Sequence, residues 1–282
     1  MAKKKDQLYP VVRTGRLAAG TSGEFEINIE QFLSKTNRRL YRHARNYRVK
    51  IDVDADSTEK FDVYALANNW MNHRALKMAY AMYLQNSEDE RNRLKGTSLA
   101  RWQDFRTQSG ATGSVLANPV QYNVAQVPTT LTAGEFQGTI VVDAAGTSRS
   151  FSWGANTASK YGILFQYDLA GNANTSPTTS TGAMPYDDLM SDDDAAMAEA
   201  LQTKGELPPY DADGVLDGSA WVKIGTIDAA SISQRLSTGY FDAPCGIVVI
   251  QQVNGTADKS GDLQWTVQSG DYKGVHAPSM LG

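Results

Sequence analysis

The hydrophobic period changes twice along the chain. The stretch EFEINIE at 24–30 alternates apolar and polar residues, and YRVKIDVDAD at 47–56 repeats the alternation. Successive side chains on a strand point to opposite faces, so each stretch predicts a strand with one buried face. Residues 1–23 show no period and predict a flexible, basic N-terminal arm.

Between Phe61 and Phe105 the apolar residues recur at intervals of three and four. Ser87 and Glu90 form a capping-box pattern that predicts a short second helix, and SLARWQDFR at 98–106 predicts a third helical turn. A helical insert near 63–106 is therefore expected between strands. Its main helix, of about five turns, would carry an apolar stripe of Leu66, Trp70, Met71, Ala75, Met78, Ala79 and Met82.

From Thr107 onward the pattern is that of strands separated by Gly, Asn, Ser and Thr clusters. Many short strands at this spacing are typical of a sandwich or barrel. No linker divides the chain into two cores, so we predict a mainly β fold, with a single β-sandwich over 24–282. One more helix is predicted at 191–205. The predicted strands lie within 114–127, 135–144, 148–153, 161–170, 219–229, 245–253 and 262–269.

Composition narrows the class of protein. The 282 residues are 41% hydrophobic, but no apolar run reaches the roughly 20 residues that a membrane-spanning helix needs, so no membrane partner is expected. The start, MAKKKDQLYP, lacks the apolar segment of a secretory signal. The single cysteine, Cys245, excludes an internal disulfide and a CxxC zinc site. We expect it to be a small buried side chain.

Charge is divided unevenly along the chain, whose formal net charge is -4. Residues 1–106 carry 20 Lys and Arg against 13 Asp and Glu, whereas residues 107–282 carry 7 against 18. The densest basic part is SKTNRRLYRHARNYRVK at 34–50, which has seven basic side chains and no acidic one. This division predicts two surfaces that face different surroundings, one of them a polyanion.

The basic run at 34–50 has two interpretations. Its cations would bind a phosphate backbone by releasing counterions, and the interleaved Tyr41 and Tyr47 would stack on unpaired bases. Alternatively, the run is a solvated face or pairs with carboxylates elsewhere. If the run is helical, five cations lie on one face: Lys35, Arg38, Arg39, Arg42 and Arg45. The full set of candidate nucleic-acid-binding residues also includes Lys3, Lys4 and Lys5 of the arm and Arg48.

Catalytic and metal chemistry find little support in the sequence. The three histidines are His43, His73 and His276, and no nucleophile elbow, phosphate loop or metalloprotease motif is present. We expect the positive charges around His43 to disfavour its protonation. The acidic loop that starts at Asp211 fails the EF-hand pattern. We therefore predict a protein that is not an enzyme and has no cofactor, with a Ca²⁺ site at a subunit contact left as an alternative.

Two blocks of the sequence, YALANNWMNHRALKMAYAMYLQNSEDERNRLKGTSLARWQDFR at 64–106 and LSTGYFDAPCGIVVI at 236–250, resemble segments of capsid proteins. The family is that of small circular Rep-encoding single-stranded DNA (CRESS-DNA) viruses. The resemblance implies a single jelly-roll coat protein, whose copies close into an icosahedral shell around single-stranded DNA, with T=1 as the expected symmetry. It also implies that the protein resides in the virion, after assembly in the host cytoplasm or nucleus.

The N-terminus departs from this family in one respect. Many such capsids have a long Arg-rich arm, whereas this chain has only five basic residues before 24–30. The expected DNA contact therefore moves to the run at 34–50. A different function stays open, namely a monomeric β-sandwich that binds carbohydrate or another ligand through Trp153, Trp221 or Trp265. A third is an enzyme that uses acidic pairs, such as Asp187 and Asp188, as general acid and base.

Overall fold

The chain folds mainly into strands, as the sequence predicts. The computed structural model describes residues 11–17, 23–53, 59–94, 103–110, 115–116, 119–122, 128–130, 138–142, 146–170, 220–229, 235–254 and 263–282. The strands are β1 (Thr14–Leu17), β2 (Glu24–Asn28), β3 (Asn46–Val53), β4 (Lys60–Leu66), β5 (Val115–Leu116), β6 (Pro119–Tyr122), β7 (Pro128–Thr130), β8 (Ile140–Val142), β9 (Ser148–Ser152), β10 (Lys160–Gly162), β11 (Trp221–Asp228), β12 (Ser237–Pro244), β13 (Ile247–Asn254) and β14 (Leu263–Val267). The helices are α1 (Ile29–Asn37), α2 (Trp70–Asn86), α3 (Glu88–Arg93) and α4 (Ile163–Leu169).

Two large sheets hold most of the strands. The first has the order β12-β3-β14-β1-β6-β7, and the second has the order β11-β4-β13-β2-β5. Their pairings are antiparallel apart from the parallel pair of β2 and β5. A smaller sheet has the order β10-β9-β8. Strands that follow each other in the sequence, such as β1 and β2 or β3 and β4, lie in different large sheets.

The first core lies between the two large sheets, and it forms because inward residues alternate along the strands. In β3 the buried positions are those of the predicted alternation, so that prediction is confirmed for 47–53. The β2 strand ends at Asn28, two residues before the predicted end. There the Asn28 side chain accepts a hydrogen bond from the Gln31 N–H (3.2 Å) and caps α1. Phe32 of α1 then packs edge-on against Trp265, with ring centroids 5.3 Å apart.

A second core lies on the outer side of β13. The β13 strand is buried on both faces because Val248 and Ile250 belong to the first core, whereas Ile247 joins the second. Helices α2 and α4 cover this second face with apolar side chains that include Leu76 and Ile163. Cys245, at the turn before β13, is fully buried as predicted.

The N-terminal arm is shorter than the sequence predicts. Residues 14–17 form β1, which pairs with β14 and β6, and Leu17 is buried in the first core. Four residues are too few to show a clear period. A Cβ atom at Gly15 would lie 2.6 Å from the Trp265 ring, so the close packing of β1 requires glycine there. The remaining part of the predicted arm that carries Lys3, Lys4 and Lys5 lies outside the described residues.

Two predictions of helix and strand are wrong, and a third is met with a different cap. The β4 segment was predicted to be part of a helix, but it alternates buried and partly buried residues and pairs with β11 and β13. Residues 163–169, predicted as a strand, form α4 because Ile163 and Tyr167, four residues apart, both face the second core. The short second helix is confirmed as α3, which begins directly after Ser87, and the Arg91 N–H donates to the Ser87 carbonyl (3.0 Å). The Ser87 side chain does not cap α3, because its Oγ donates to the Tyr83 carbonyl (2.7 Å) at the end of α2.

Other predictions are met in part. Strands overlap all seven stretches predicted after Thr107, although only the end of β10 falls in 161–170, whereas β7 and β12 were not predicted as strands. Residues 103–107 have no helical turn. The helix predicted at 191–205 lies outside the described residues. In the described part of the chain, no helix is long and apolar enough to cross a membrane.

Candidate nucleic-acid interface

The basic run at 34–50 is not one helical face. Helix α1 ends at Asn37, and Arg38 follows in the left-handed conformation, with φ 52° and ψ 40°. An irregular loop then leads to β3 at Asn46. The cations of the run are thereby divided among a helix end, a loop and a strand. This corrects the prediction that five of them share a helix.

The loop packs against the C-terminal segment of the chain. The Arg45 guanidinium lies over the Tyr272 ring, 3.5 Å from its centroid, and Arg45 Nη1 donates to the Ala277 carbonyl (2.6 Å). Backbone hydrogen bonds also join the two segments, since Asn46 N donates to Pro278 O and Met280 N donates to Ala44 O. The shape of the loop therefore depends on residues more than 200 positions away in the sequence.

Lys273 from this C-terminal segment completes a cluster of cations. Its Nζ lies 5.7 Å from the Tyr41 ring centroid and 5.3 Å from that of Tyr272, and it donates to the Leu40 carbonyl. Burial lowers the pKa of Lys273, and Arg42, Arg45 and Arg39 lower it further by charge repulsion. We name Arg39, Arg42, Arg45 and Lys273 the basic surface.

Asp104 is the carboxylate that offsets part of this charge. It forms an ion pair with Arg42, whose Nη1 lies 3.0 Å from Asp104 Oδ1, and its other oxygen accepts a hydrogen bond from the His43 N–H (2.7 Å). Of the charged groups that act on Lys273, three are cations and one is Asp104. Like charges held together in this way cost free energy, and perturbed groups of this kind cluster at functional sites.

The other cations of the run do not belong to the basic surface. Lys35 sits in the last turn of α1, half-buried, and burial lowers its pKa. Arg38 is exposed at the end of α1, and Arg48 is exposed on β3. The Arg48 N–H donates to the His276 carbonyl, so this part of β3 also borders the C-terminal segment.

The two tyrosines of the run cannot stack on bases, which corrects their predicted role. Tyr41 and Tyr47 are fully buried. The Tyr41 hydroxyl donates to the Lys273 carbonyl (3.0 Å), and the Tyr47 hydroxyl donates to the Arg42 carbonyl (2.6 Å). Both therefore hold the backbone of the basic surface in place. The half-buried aromatic ring at this surface is that of Tyr272.

Directly beneath the basic surface lies a buried charge cluster. We define it as Glu26, Glu30, His43 and Arg106. His43 Nδ1 lies 3.0 Å from Glu30 Oε1, and both side chains are completely buried. Arg106 Nε lies 3.8 Å from the same oxygen. Ser109 donates to Glu26 Oε2 (2.5 Å), while burial raises the pKa of Glu26. The cluster therefore joins four parts of the chain, namely β2, α1, the loop before β3 and residues 103–110.

His43 contradicts the expectation that its neighbours disfavour protonation. Burial lowers its pKa, but Cys245 and Glu30 raise it by more, to about 10. The charged ring donates to Glu30 and, through Nε2, to Thr107 Oγ1 (2.7 Å). The Thr107 N–H points at the same Nε2 (3.1 Å) and favours the neutral ring. Cys245 and Glu30 together outweigh that contact, so the pKa of His43 stays raised.

The residues of the alternative functions are less well placed. Trp153 and Trp265 are 3% and 1% exposed, so neither can stack on a sugar, and Trp221 packs partly against the second core. Asp187, Asp188 and the acidic loop at Asp211 lie outside the described residues. Within the described ranges, no group of three His, Cys, Asp or Glu side chains could hold a metal ion.

Comparison with known proteins does not identify the chain. No family model matches it, and no curated protein or solved structure is significantly similar to it.

The sequence did not indicate Lys273 as part of the basic surface, nor Asp104 and Tyr272 as residues that contact it. They come from two segments that have no unusual composition, and they reach the loop only through the sheet and the C-terminal segment. The uneven charge of the chain indicated that a basic surface exists. It carried no information on which distant residues complete that surface.

Proposed function

We propose that the protein is a capsid subunit of a small virus with a single-stranded DNA genome. In this proposal the chain is one jelly-roll domain with helical insertions after β2 and β4. Its copies associate into an icosahedral shell of T=1 symmetry that encloses the DNA. The basic surface faces the interior and binds phosphates. The protein then resides in the virion and assembles in the host cytoplasm or nucleus.

The observation that carries this proposal is the strand order of the central eight strands. Numbered along the chain as β1, β2, β3, β4, β11, β12, β13 and β14, they lie in the two large sheets in the orders 1-8-3-6 and 2-7-4-5. We interpret this order as that of a jelly roll, in which two Greek keys wrap into a double sheet, and it supports the proposal. Jelly rolls build many viral coats but also lectins, so fold alone does not decide between them.

The basic surface favours a polyanion over a sugar. Three arginines and one lysine lie together, where their mutual repulsion costs free energy unless an anion offsets it. Arg42 has a side chain that is 53% exposed, and its Asp104 partner is 9% exposed, so the cation is the group that a partner meets. The tryptophans of the carbohydrate hypothesis are mostly buried, and no observation favours that function.

The test is particle formation by the purified full chain. We expect negative-stain electron microscopy to show closed particles and ultraviolet absorbance to show packaged nucleic acid. Replacing Arg39, Arg42, Arg45 and Lys273 by Gln keeps hydrogen-bond donors and removes four charges. We expect these variants to form particles with much less nucleic acid.

A matched control removes four cations elsewhere: Arg13, Lys60, Arg93 and Lys223, each replaced by Gln. It should package nucleic acid like the wild type. A chain that stays monomeric at every salt concentration and pH contradicts the shell. Equal nucleic-acid content in the wild type and the basic-surface variant contradicts the assigned role of the basic surface.

A further inference from the structure

A pocket of about 440 Å³ opens beside α2 and α4, on elements that do not carry the basic surface. Among the described residues, four line it, namely Arg74, Lys77 and Met78 of α2 and Tyr167 of α4. Its volume is within the range of small-molecule pockets, which runs from roughly 300 to 1,000 Å³. The pocket combines two cations with an apolar wall.

The two cations are one helical turn apart. Residues three apart on a helix are neighbours, with Cβ atoms about 5–6 Å from each other, so one tetrahedral anion can contact both Arg74 and Lys77. Both side chains are exposed. In the described part of the chain neither forms an ion pair with a carboxylate. Helix α2 itself contains no acidic residue.

The rest of the pocket is held firmly. Tyr167 is 5% exposed and belongs to the second core, where Met78 packs against the same core. These residues give the pocket a wall that does not need to order when a ligand arrives. A preformed wall reduces the entropy that binding costs.

We propose that this pocket binds a phosphate group carried by an apolar or aromatic body, such as a nucleotide. The planar guanidinium of Arg74 matches two phosphate oxygens, while Lys77 adds a point charge to a third. Met78 and Tyr167 contact the body of the ligand. Trp70 lies on the same side of α2, four residues before Arg74, and is 49% exposed, so it borders the ligand where it leaves the pocket.

This proposal does not require a shell or the basic surface. A nucleotide free in solution and a nucleotide within a single strand carry the same phosphate chemistry. Binding of dAMP, inorganic phosphate and a short oligo(dT) distinguishes these sources. The measurement is isothermal titration calorimetry on the full chain at low salt, together with quenching of tryptophan fluorescence.

The variants are Arg74→Ala and Lys77→Ala, with Arg93→Ala as the control at an exposed cation outside the pocket. Alanine is the best helix former, so neither change in α2 should unfold it. We expect each pocket variant to weaken dAMP binding about five- to tenfold, since each removes a charge-assisted contact. The control should bind like the wild type. Met78→Ala, which removes part of the apolar wall, should weaken binding of dAMP more than binding of inorganic phosphate.

Each result bears on the proposal. Binding of dAMP that depends on Arg74 and Lys77 supports it, and so does oligo(dT) binding with the same dependence, which would assign the phosphate to a strand. Absence of binding by all three probes overturns it, as does binding that the double variant leaves unchanged. Loss of nucleic acid from the basic-surface variant, with dAMP binding intact, separates this site from the proposed function.

Discussion

Arg42 and His43 are neighbours in the basic run, yet they belong to two different regions. The Arg42 side chain is 53% exposed on the basic surface, whereas the His43 side chain is completely buried against Glu30. On the surface, like charges crowd together, and Asp104 offsets only part of them. In the buried cluster, His43 forms a direct ion pair with Glu30. The comparison shows that a run of basic residues can combine an exposed cationic surface with the buried pair that supports it.

The largest expected effect comes from breaking the buried pair. Glu30→Ala leaves the charged His43 ring without its carboxylate, and removing one partner of a buried pair costs about 3–5 kcal/mol. Chemical denaturation of the unassembled chain measures this loss. The control is Glu24→Ala, at the half-exposed start of β2, where we expect a change within about 0.5 kcal/mol. A loss below about 1 kcal/mol for Glu30→Ala would mean that the pair carries little stability.

A second substitution separates the electrostatic contribution of the pair from the contribution of its packing. Replacing Glu30 and His43 together by Leu removes both charges at once, and such replacements are often neutral or stabilising. We therefore expect the double variant to be more stable than Glu30→Ala. A double-mutant cycle with the single variants Glu30→Leu and His43→Leu gives the coupling free energy between the two side chains. Additive effects would contradict a direct interaction between the two side chains.

The buried pair also predicts how stability depends on pH. The folded-state pKa of His43, about 10, lies above the unfolded value of about 6.5. The stabilisation is therefore complete below about pH 6.5, declines from there to about pH 10, and is absent above it. Unfolding free energies at pH 6, 8 and 10, taken as wild type minus His43→Gln, should shrink with pH. A difference that grows with pH would reverse the assigned protonation.

On the exposed side, the expected effect is on binding rather than on stability. Arg42→Gln should lower the slope of log affinity against log salt by about 0.7 for single-stranded DNA, since one phosphate contact is lost. Asp104→Asn keeps an oxygen that can accept from the His43 N–H but removes the opposing charge, so it should bind DNA more tightly. Fluorescence anisotropy at several salt concentrations measures both. Changes in the same direction would exclude Asp104 as the offsetting charge.

The two regions differ in how far the sequence predicts them. The strands at 24–28 and 46–53 follow from a local alternation, and the burial of Cys245 follows from its apolar surroundings. The protonation of His43 was predicted wrongly because its neighbours in sequence are cations, whereas its neighbours in space are Glu30 and Cys245. The folded structure determines which residues are close in space, and the pattern of residues along the sequence does not show them.

The same reason explains the errors at the helices and at the C-terminal segment. The β4 strand is seven residues long and carries apolar residues on both sides of its alternation, so its period resembled that of the helix after it. Tyr272 and Lys273 reach the basic surface through backbone hydrogen bonds between the C-terminal segment and the loop. Such long-range packing leaves no mark on the local composition.

The smallest expected effect tests whether Arg38, an exposed cation next to the basic surface in the sequence, is kept at the expense of stability. Arg38 adopts a left-handed conformation that costs a side-chain-bearing residue about 1–2 kcal/mol, while glycine loses more entropy on folding. Arg38→Gly should thus raise the unfolding free energy by about 0.5 kcal/mol. Arg39→Gly, one position later and without a positive φ, should lower it. Both remove one charge, so both should weaken DNA binding, and stability and affinity would then change in opposite directions only at position 38.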